Sequence, residues 1–87
     1  MAYNTVAVNT ADRYMVGVED KTGKYYVGFP VFNGLAEYTE YYEIDQPTFE
    51  RYRADIESAR DFVAACRRHE MDHLLIQKPG RIRGTPI

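Results

Sequence analysis

The sequence predicts an α+β fold: an N-terminal antiparallel β-meander of three or four strands, packed against one long or two consecutive C-terminal helices, with a short final strand or extended tail. Two observations carry this prediction. The first 45 residues alternate apolar and polar side chains between turn residues, whereas residues 46–66 carry apolar side chains at spacings of three and four. A chain of 87 residues is expected to form one domain with a single small core.

Turn residues separate the predicted strands. The tetrapeptide Asp20–Gly23 and the dipeptide Asn33-Gly34 are typical of β-hairpin turns. Pro30 has no N–H to donate to a ladder, so part of the third strand is expected to lie at a sheet edge or a bulge. Strands are therefore predicted in four runs: residues 5–8, 13–19, 25–32 and 35–44.

The helical part is expected to begin at Asp45, a good N-cap, with Pro47 in the first turn. Asp55 or Ser58 is a possible cap of a second helix, which leaves open whether there is one helix or two with a bend near Ala54. An apolar stripe is predicted to face the sheet, with Phe62 at its border. Its members are Phe49, Tyr52, Ile56, Ala59, Val63 and Cys66.

The chain is expected to divide into a domain over residues 1–77, which ends with an apolar segment at Leu74–Ile76, and a basic Gly- and Pro-containing tail over residues 78–87. The net charge of −2 conceals an asymmetry. Residues 1–66 hold eleven acids and six Lys and Arg, whereas residues 67–87 hold two acids and five Lys and Arg. The acidic body disfavours nucleic acid as the main ligand.

Composition also suggests a location. Cys66 is the only cysteine, so no disulfide can form within the chain. No secretory leader and no apolar run long enough to cross a membrane is visible. We therefore expect a cytoplasmic protein that does not enter the membrane.

The residues with the most functional interest form an acidic and aromatic strand. Four carboxylates and three tyrosines lie within nine residues. Tyrosine is favoured at protein interfaces, and carboxylates attract a basic partner, although tyrosine is also an ordinary residue of a half-buried strand. The candidate partner-binding residues are Glu37, Tyr38, Glu40, Tyr41, Tyr42, Glu43 and Asp45.

A second pattern points to metal chemistry. His69-Glu70-Met71-Asp72-His73 fits H-E-x-x-H, which on a helix brings two imidazoles together to share a zinc ion. No His, Asp, Glu or Cys follows His73 to provide a third ligand, and Arg67 and Arg68 would repel a cation. The segment is better interpreted as a solvated helix end, and we expect no metal, no cofactor and no catalytic residue.

Three hypotheses result. The preferred one is a non-enzymatic protein that occludes a basic surface on a protein partner; bacterial immunity proteins that neutralise a toxin and phage proteins that block a nuclease share this size, charge and surface chemistry. The first alternative is a small metal-binding protein or enzyme using His69, Glu70 and His73, with Cys66 beside them. The second is a homodimer that buries an exposed sheet edge.

Overall fold

A computed structural model describes residues 2–77 and 83–86 and has the α+β architecture that the sequence predicts. Its two α-helices are joined by a 3₁₀ turn at Ile56–Ala59, and a second 3₁₀ turn spans Asp72–Leu74. The strands and helices are β1 (Tyr3–Asn9), β2 (Tyr14–Glu19), β3 (Tyr25–Phe32), β4 (Glu37–Ile44), α1 (Gln46–Ala54), α2 (Arg60–Arg67) and β5 (Thr85–Pro86).

The first four strands form an antiparallel meander in the order β1-β2-β3-β4. The buried Glu19 carboxylate fixes the β2–β3 turn by accepting the N–H groups of Lys21 and Thr22 at 2.9 and 2.8 Å. The β3–β4 turn depends on Asn33, whose side-chain oxygen accepts the N–H groups of both Leu35 and Ala36 at 2.9 Å. Both turns lie where the sequence predicts them, because these residues satisfy the backbone locally.

Pro30 lies within β3, an inner strand of the meander. On the β2 side the pairing of β3 ends at Gly28 and resumes only at Val31, which faces β5. Pro30 has no ladder partner on that side, so a residue without an N–H is tolerated. Pro30 thus lies at a local gap in the pairing, between the residues of β3 that pair with β2 and those that pair with β5.

The helical segment consists of two helices. Asp45 caps α1 by accepting the N–H of Thr48 at 2.9 Å, with a proline in the first turn. Helix α1 ends at Ala54 because Asp55 is extended, with φ −142° and ψ 93°. The bend therefore lies where the sequence allowed it. None of the described helices has the length and apolar content needed to cross a membrane.

The apolar stripe of the helices packs on one face of the sheet. Five of its six predicted members are buried, and Ile56 is half-buried at the margin, as is Phe62. The sheet contributes its own inward-facing side chains to this core, chiefly from β3 and β4. The buried core residues are Tyr14, Val16, Val27, Phe29, Val31, Tyr42, Ile44, Phe49, Tyr52, Ala59, Val63 and Cys66.

Candidate functional site

Strand β4 divides the candidate partner-binding residues between two environments. Because side chains alternate along a strand, Tyr38, Glu40 and Tyr42 face the helices, and Glu37, Tyr41 and Glu43 face the opposite side. Glu40 is 5% exposed and Tyr42 is fully buried. These two residues are therefore inside the fold, and the accessible part of the candidate surface consists of the others and Asp45, which is exposed after the strand.

The buried Glu40 carboxylate is neutralised by an arginine from the end of the chain. Arg83 donates from Nε to Oε2 and from Nη2 to Oε1 of Glu40, both at 3.0 Å. The same guanidinium donates to both carboxylate oxygens of Asp72, at 2.7 and 3.0 Å. A buried charge is tolerated when it is paired and hydrogen-bonded in this way. The two carboxylates raise the pKa of Arg83, with the larger contribution from Asp72.

Two tyrosine hydroxyls complete this cluster. The Tyr42 hydroxyl donates to Glu40 Oε1 at 3.0 Å and lies 3.3 Å from the Cys66 carbonyl oxygen. Burial, and next the bond to Glu40, raises the pKa of Tyr42. The Tyr38 hydroxyl accepts the N–H of Gly84 at 2.8 Å. Neither Arg83 nor Asp72 was among the sequence-predicted site residues. The basic charge near the C-terminal end was a sequence signal for Arg83, but no signal pointed to Asp72 as its partner.

The two exposed glutamates of β4 also have cations of the same chain beside them. Arg13 lies 3.9 Å from Glu37, and Lys24 lies 3.8 Å from Glu43. Both pairs are about half exposed, so each is worth only a few tenths of a kcal/mol to about 1 kcal/mol. The strand is therefore less negative than its sequence suggests, but the outer carboxylates stay available to a partner.

Tyrosines cover part of the sheet face opposite the helices. The rings of Tyr3 and Tyr41 are stacked with centroids 3.6 Å apart, and Tyr26 meets both edge-on at 5.3 and 5.0 Å. Tyr26 is fully buried because it lies over Gly17, where a Cβ would come within 2.6 Å of its hydroxyl oxygen. Tyr41, an outward-facing residue of the candidate surface, is thus half-covered by its own chain.

An open groove of about 460 Å³ lies where β4 runs into α1. Its floor is apolar, and its lining also includes two of the candidate acids, Glu43 and Asp45, and the cation of Arg51. The Arg51 guanidinium lies 5.2 Å from the centroid of the Tyr52 ring. Hydrogen bonding by Thr48, and to a smaller degree the charge of Arg51, lowers the pKa of Asp45. The remaining lining residues are Ile44, Thr48, Phe62 and Leu74.

The H-E-x-x-H segment does not form an α-helix. Helix α2 ends at Arg67, and His69 has a left-handed φ of 64°. The bonds His69 N–H to Cys66 C=O (3.0 Å) and Glu70 N–H to Ala65 C=O (3.1 Å) form a Schellman cap. His69 and His73 therefore do not share a helix face. Within residues 2–77 and 83–86, no group of three or more His, Cys, Asp or Glu side chains is placed to hold a metal ion.

Cys66 is a poor nucleophile in the folded protein. Its side chain is fully buried, and burial, reinforced by the charges of Asp72 and Glu40, raises the pKa of the thiol to about 12. The thiolate is the reactive form of cysteine, so the thiol lacks the reactivity that catalysis requires.

The boundary between domain and tail was predicted between residues 77 and 78. Residues 78–82, on the tail side of this boundary, lie outside the described part of the chain. The described end of the tail is docked: Arg83 contacts β4 and Asp72, and Thr85–Pro86 pairs with β3 as β5. Leu75 forms a β-bridge with Tyr42 along the edge of β4 that does not pair with β3.

No family model, no curated protein and no solved structure matches this chain.

Proposed function

We propose that this protein is a small non-enzymatic binding protein that occludes a basic surface on a protein partner, of the kind that includes toxin-immunity proteins and phage inhibitors. The observation that carries the proposal is the groove between β4 and α1. It combines an apolar floor with two carboxylates from the accessible end of the candidate surface.

The groove has the chemistry that a lysine or arginine side chain of a partner needs. The aliphatic stem of such a side chain packs on the apolar floor at Tyr52, Phe62 and Leu74, and its cationic head reaches Glu43 and Asp45. Arg51 also lines the groove, and its charge contributes to lowering the pKa of Asp45, so this cation weakens the attraction for a basic head group. Exposed carboxylates around the groove increase the rate of encounter with a basic surface.

A co-purification experiment from the native host tests this proposal. The wild-type protein retains a partner, whereas Glu43→Gln with Asp45→Asn retains much less. Asparagine caps a helix about as well as aspartate, so α1 is preserved. The matched control is Glu57→Gln with Asp61→Asn, which removes two charges from exposed residues outside the groove lining and keeps the partner bound.

Binding kinetics at two salt concentrations then assign the effect to the groove. Loss of the two carboxylates lowers the association rate, most strongly at low salt, while Arg51→Gln raises it because a repelling cation is removed. We therefore expect the association rate to change in opposite directions in the variant that lacks the two carboxylates and in Arg51→Gln. If the control variant weakens binding as much as the groove variant, or if all three bind at the wild-type rate, the contact lies elsewhere.

A second candidate, the homodimer, has one observation in its favour. Within the described residues β1 pairs on one side only, it contains no charged side chain, and Val6 and Val8 are 47% and 52% exposed. Uncharged edges favour pairing with another strand. Sedimentation of the wild type and of Val6→Lys tests it, since a dimer through this edge dissociates when lysines oppose each other, and a wild-type monomer refutes it.

A further inference from the structure

The segment Arg83–Pro86 contacts the sheet in the way that a bound extended peptide contacts a protein that recognises it. Arg83 is held by its side chain and Gly84 by its backbone N–H. The last two residues pair with β3 as a short antiparallel strand, with Thr85 opposite Phe32 and Pro86 opposite Val31. Strand addition is a common way to bind an extended peptide.

The first position, Arg83, has contacts that suit an arginine side chain. Glu40 and Asp72 accept two hydrogen bonds each from the guanidinium of Arg83, and Tyr42 Oη lies 3.3 Å from its Nη2. A planar fork with five donors fits two carboxylates at once, whereas a lysine ammonium provides a point charge. The Glu40 side chain is only 4% exposed, so this acceptor is held rigidly within the fold.

The second position, Gly84, has little space for a side chain. A Cβ on Gly84 would lie 3.0 Å from the backbone N and C atoms of Phe32 and 3.0 Å from the Cβ of Val31. Backbone atoms of an inner strand cannot move aside without disturbing the sheet. The Gly84 N–H also donates to the Tyr38 hydroxyl, so the backbone at this position is recognised as well.

We propose that Tyr38, Glu40, Tyr42 and Asp72 form a recognition site for an Arg-Gly segment, which the chain's own Arg83-Gly84 fills in cis and which an Arg-Gly segment of a protein partner takes in trans. The side chains contacted are those of two acids and two tyrosines, and among the described residues the two carboxylates exceed the single positive charge of Arg83 by one. This excess favours a partner segment with further basic residues. The inference concerns the inner face of β4 and does not depend on the groove at Glu43 and Asp45.

The test uses the full chain with Arg83→Ala and Gly84→Ala, which removes both anchors of the cis segment. The probe is the synthetic peptide acetyl-Arg-Gly-Thr-Pro-amide, followed by amide chemical shifts of β3 and β4. We expect saturable binding to this variant, and binding to the wild type that is weaker by about tenfold or more, because the tethered segment competes at high effective concentration.

Three controls make the test specific. Peptides that begin Lys-Gly or Arg-Ala should bind the double variant about tenfold more weakly than Arg-Gly. Adding Glu40→Gln to the double variant should reduce the preference for arginine over lysine, because only Asp72 among the described residues then offers a carboxylate to the guanidinium. Equal binding of the three peptides, or absence of binding to a folded double variant, overturns the proposal.

If the double variant does not fold, two other measurements test whether the Arg-Gly site exists. The single variant Arg83→Ala should gain thermal stability from ethylguanidinium and not from ethylammonium at the same concentration. In the wild type, a large excess of the Arg-Gly peptide should shift the amide resonances of Phe32 and Gly84. Failure of both refutes the site, whereas the groove variants Glu43→Gln and Asp45→Asn are expected to leave both results unchanged.

Discussion

Tyr3 and Tyr41 lie in the two outer strands of the four-stranded meander, and yet their rings stack with centroids 3.6 Å apart. Glycines in the two inner strands make room for this cluster: a Cβ on Gly28 would lie 3.1 Å from Cδ1 of Tyr41, and Gly17 leaves space for Tyr26, whose ring meets both Tyr3 and Tyr41 edge-on. The sheet is therefore covered on both faces, by helices on one side and partly by its own tyrosines on the other. The Tyr3 hydroxyl is buried there and has no hydrogen-bond partner within the described part of the chain.

Tyr3→Phe is expected to leave the free energy of unfolding unchanged or to raise it by about 1 kcal/mol, because it removes a buried hydroxyl that makes no hydrogen bond. The matched variant Tyr42→Phe removes a hydroxyl bonded to Glu40 at 3.0 Å and should lower stability by about 1–3 kcal/mol. Urea denaturation of both variants measures the difference. Equal losses for the two would show that the Tyr3 hydroxyl is satisfied in solution.

Gly17→Ala should destabilise the protein by about 1–3 kcal/mol, because its Cβ would overlap the Asn4 carbonyl oxygen of the neighbouring strand and press on the Tyr26 hydroxyl. Near-ultraviolet circular dichroism should report the disturbed tyrosines. Thr39→Ala on the same face provides the control, with a smaller loss and an intact tyrosine signal. A Gly17→Ala protein as stable as the wild type would contradict the close approach of β1 and Tyr26.

Phe49→Ala should cost about 3–5 kcal/mol, a large share of the stability of so small a domain. Phe49 is 4% exposed and lies 4.6 Å, centroid to centroid, from the Tyr25 ring. Leu35→Ala in the β3–β4 turn is the comparison, since Leu35 is 82% exposed and its removal should change stability by less than about 0.5 kcal/mol. Similar losses in chemical denaturation would mean that α1 does not pack on the sheet through this face.

The Cys66 thiol should resist alkylation by iodoacetamide at pH 7–8 in the folded protein and react readily in urea. Its pKa is raised to about 12 by burial, and the thiolate is the nucleophile. Mass spectrometry of the labelled fraction over time measures the rate. Labelling as fast in the native state as in urea would refute the burial of this side chain.

Acidification should weaken the contact between Arg83 and Asp72. Hydrogen bonding by Arg83 lowers the pKa of Asp72 below its ordinary value of 3.8. A carboxylate with a lowered folded-state pKa contributes stability that is fully present above pH 3.8 and is lost as the pH falls through the lowered value. The stability difference between the wild type and Asp72→Asn should therefore be constant near neutral pH and shrink below pH 3.8; a difference that persists unchanged to pH 2 would contradict this pairing.

The sequence by itself determined the elements that depend on local chemistry. Alternation of apolar side chains predicted β2 to β4, Asn33 and Gly23 predicted the turns, and the cap at Asp45 predicted the start of α1, because each of these is decided by residues within a few positions of one another. Spacing likewise predicted which residues of the helices are buried. The separation of Tyr41 from Tyr42 onto opposite faces of β4 also followed from alternation alone.

Tertiary structure decided which side chains of β4 are buried and which are exposed. Glu40 is an ordinary acid in the sequence, but it is buried because Arg83, 43 residues later, returns to neutralise it together with Asp72. A charge can be placed in a core only when its partner arrives through the fold, and local spacing carries no information about such a partner. The groove that unites Glu43 with Leu74, and the stack of Tyr3 on Tyr41, have the same origin: contacts between residues far apart in the chain, which packing alone brings together.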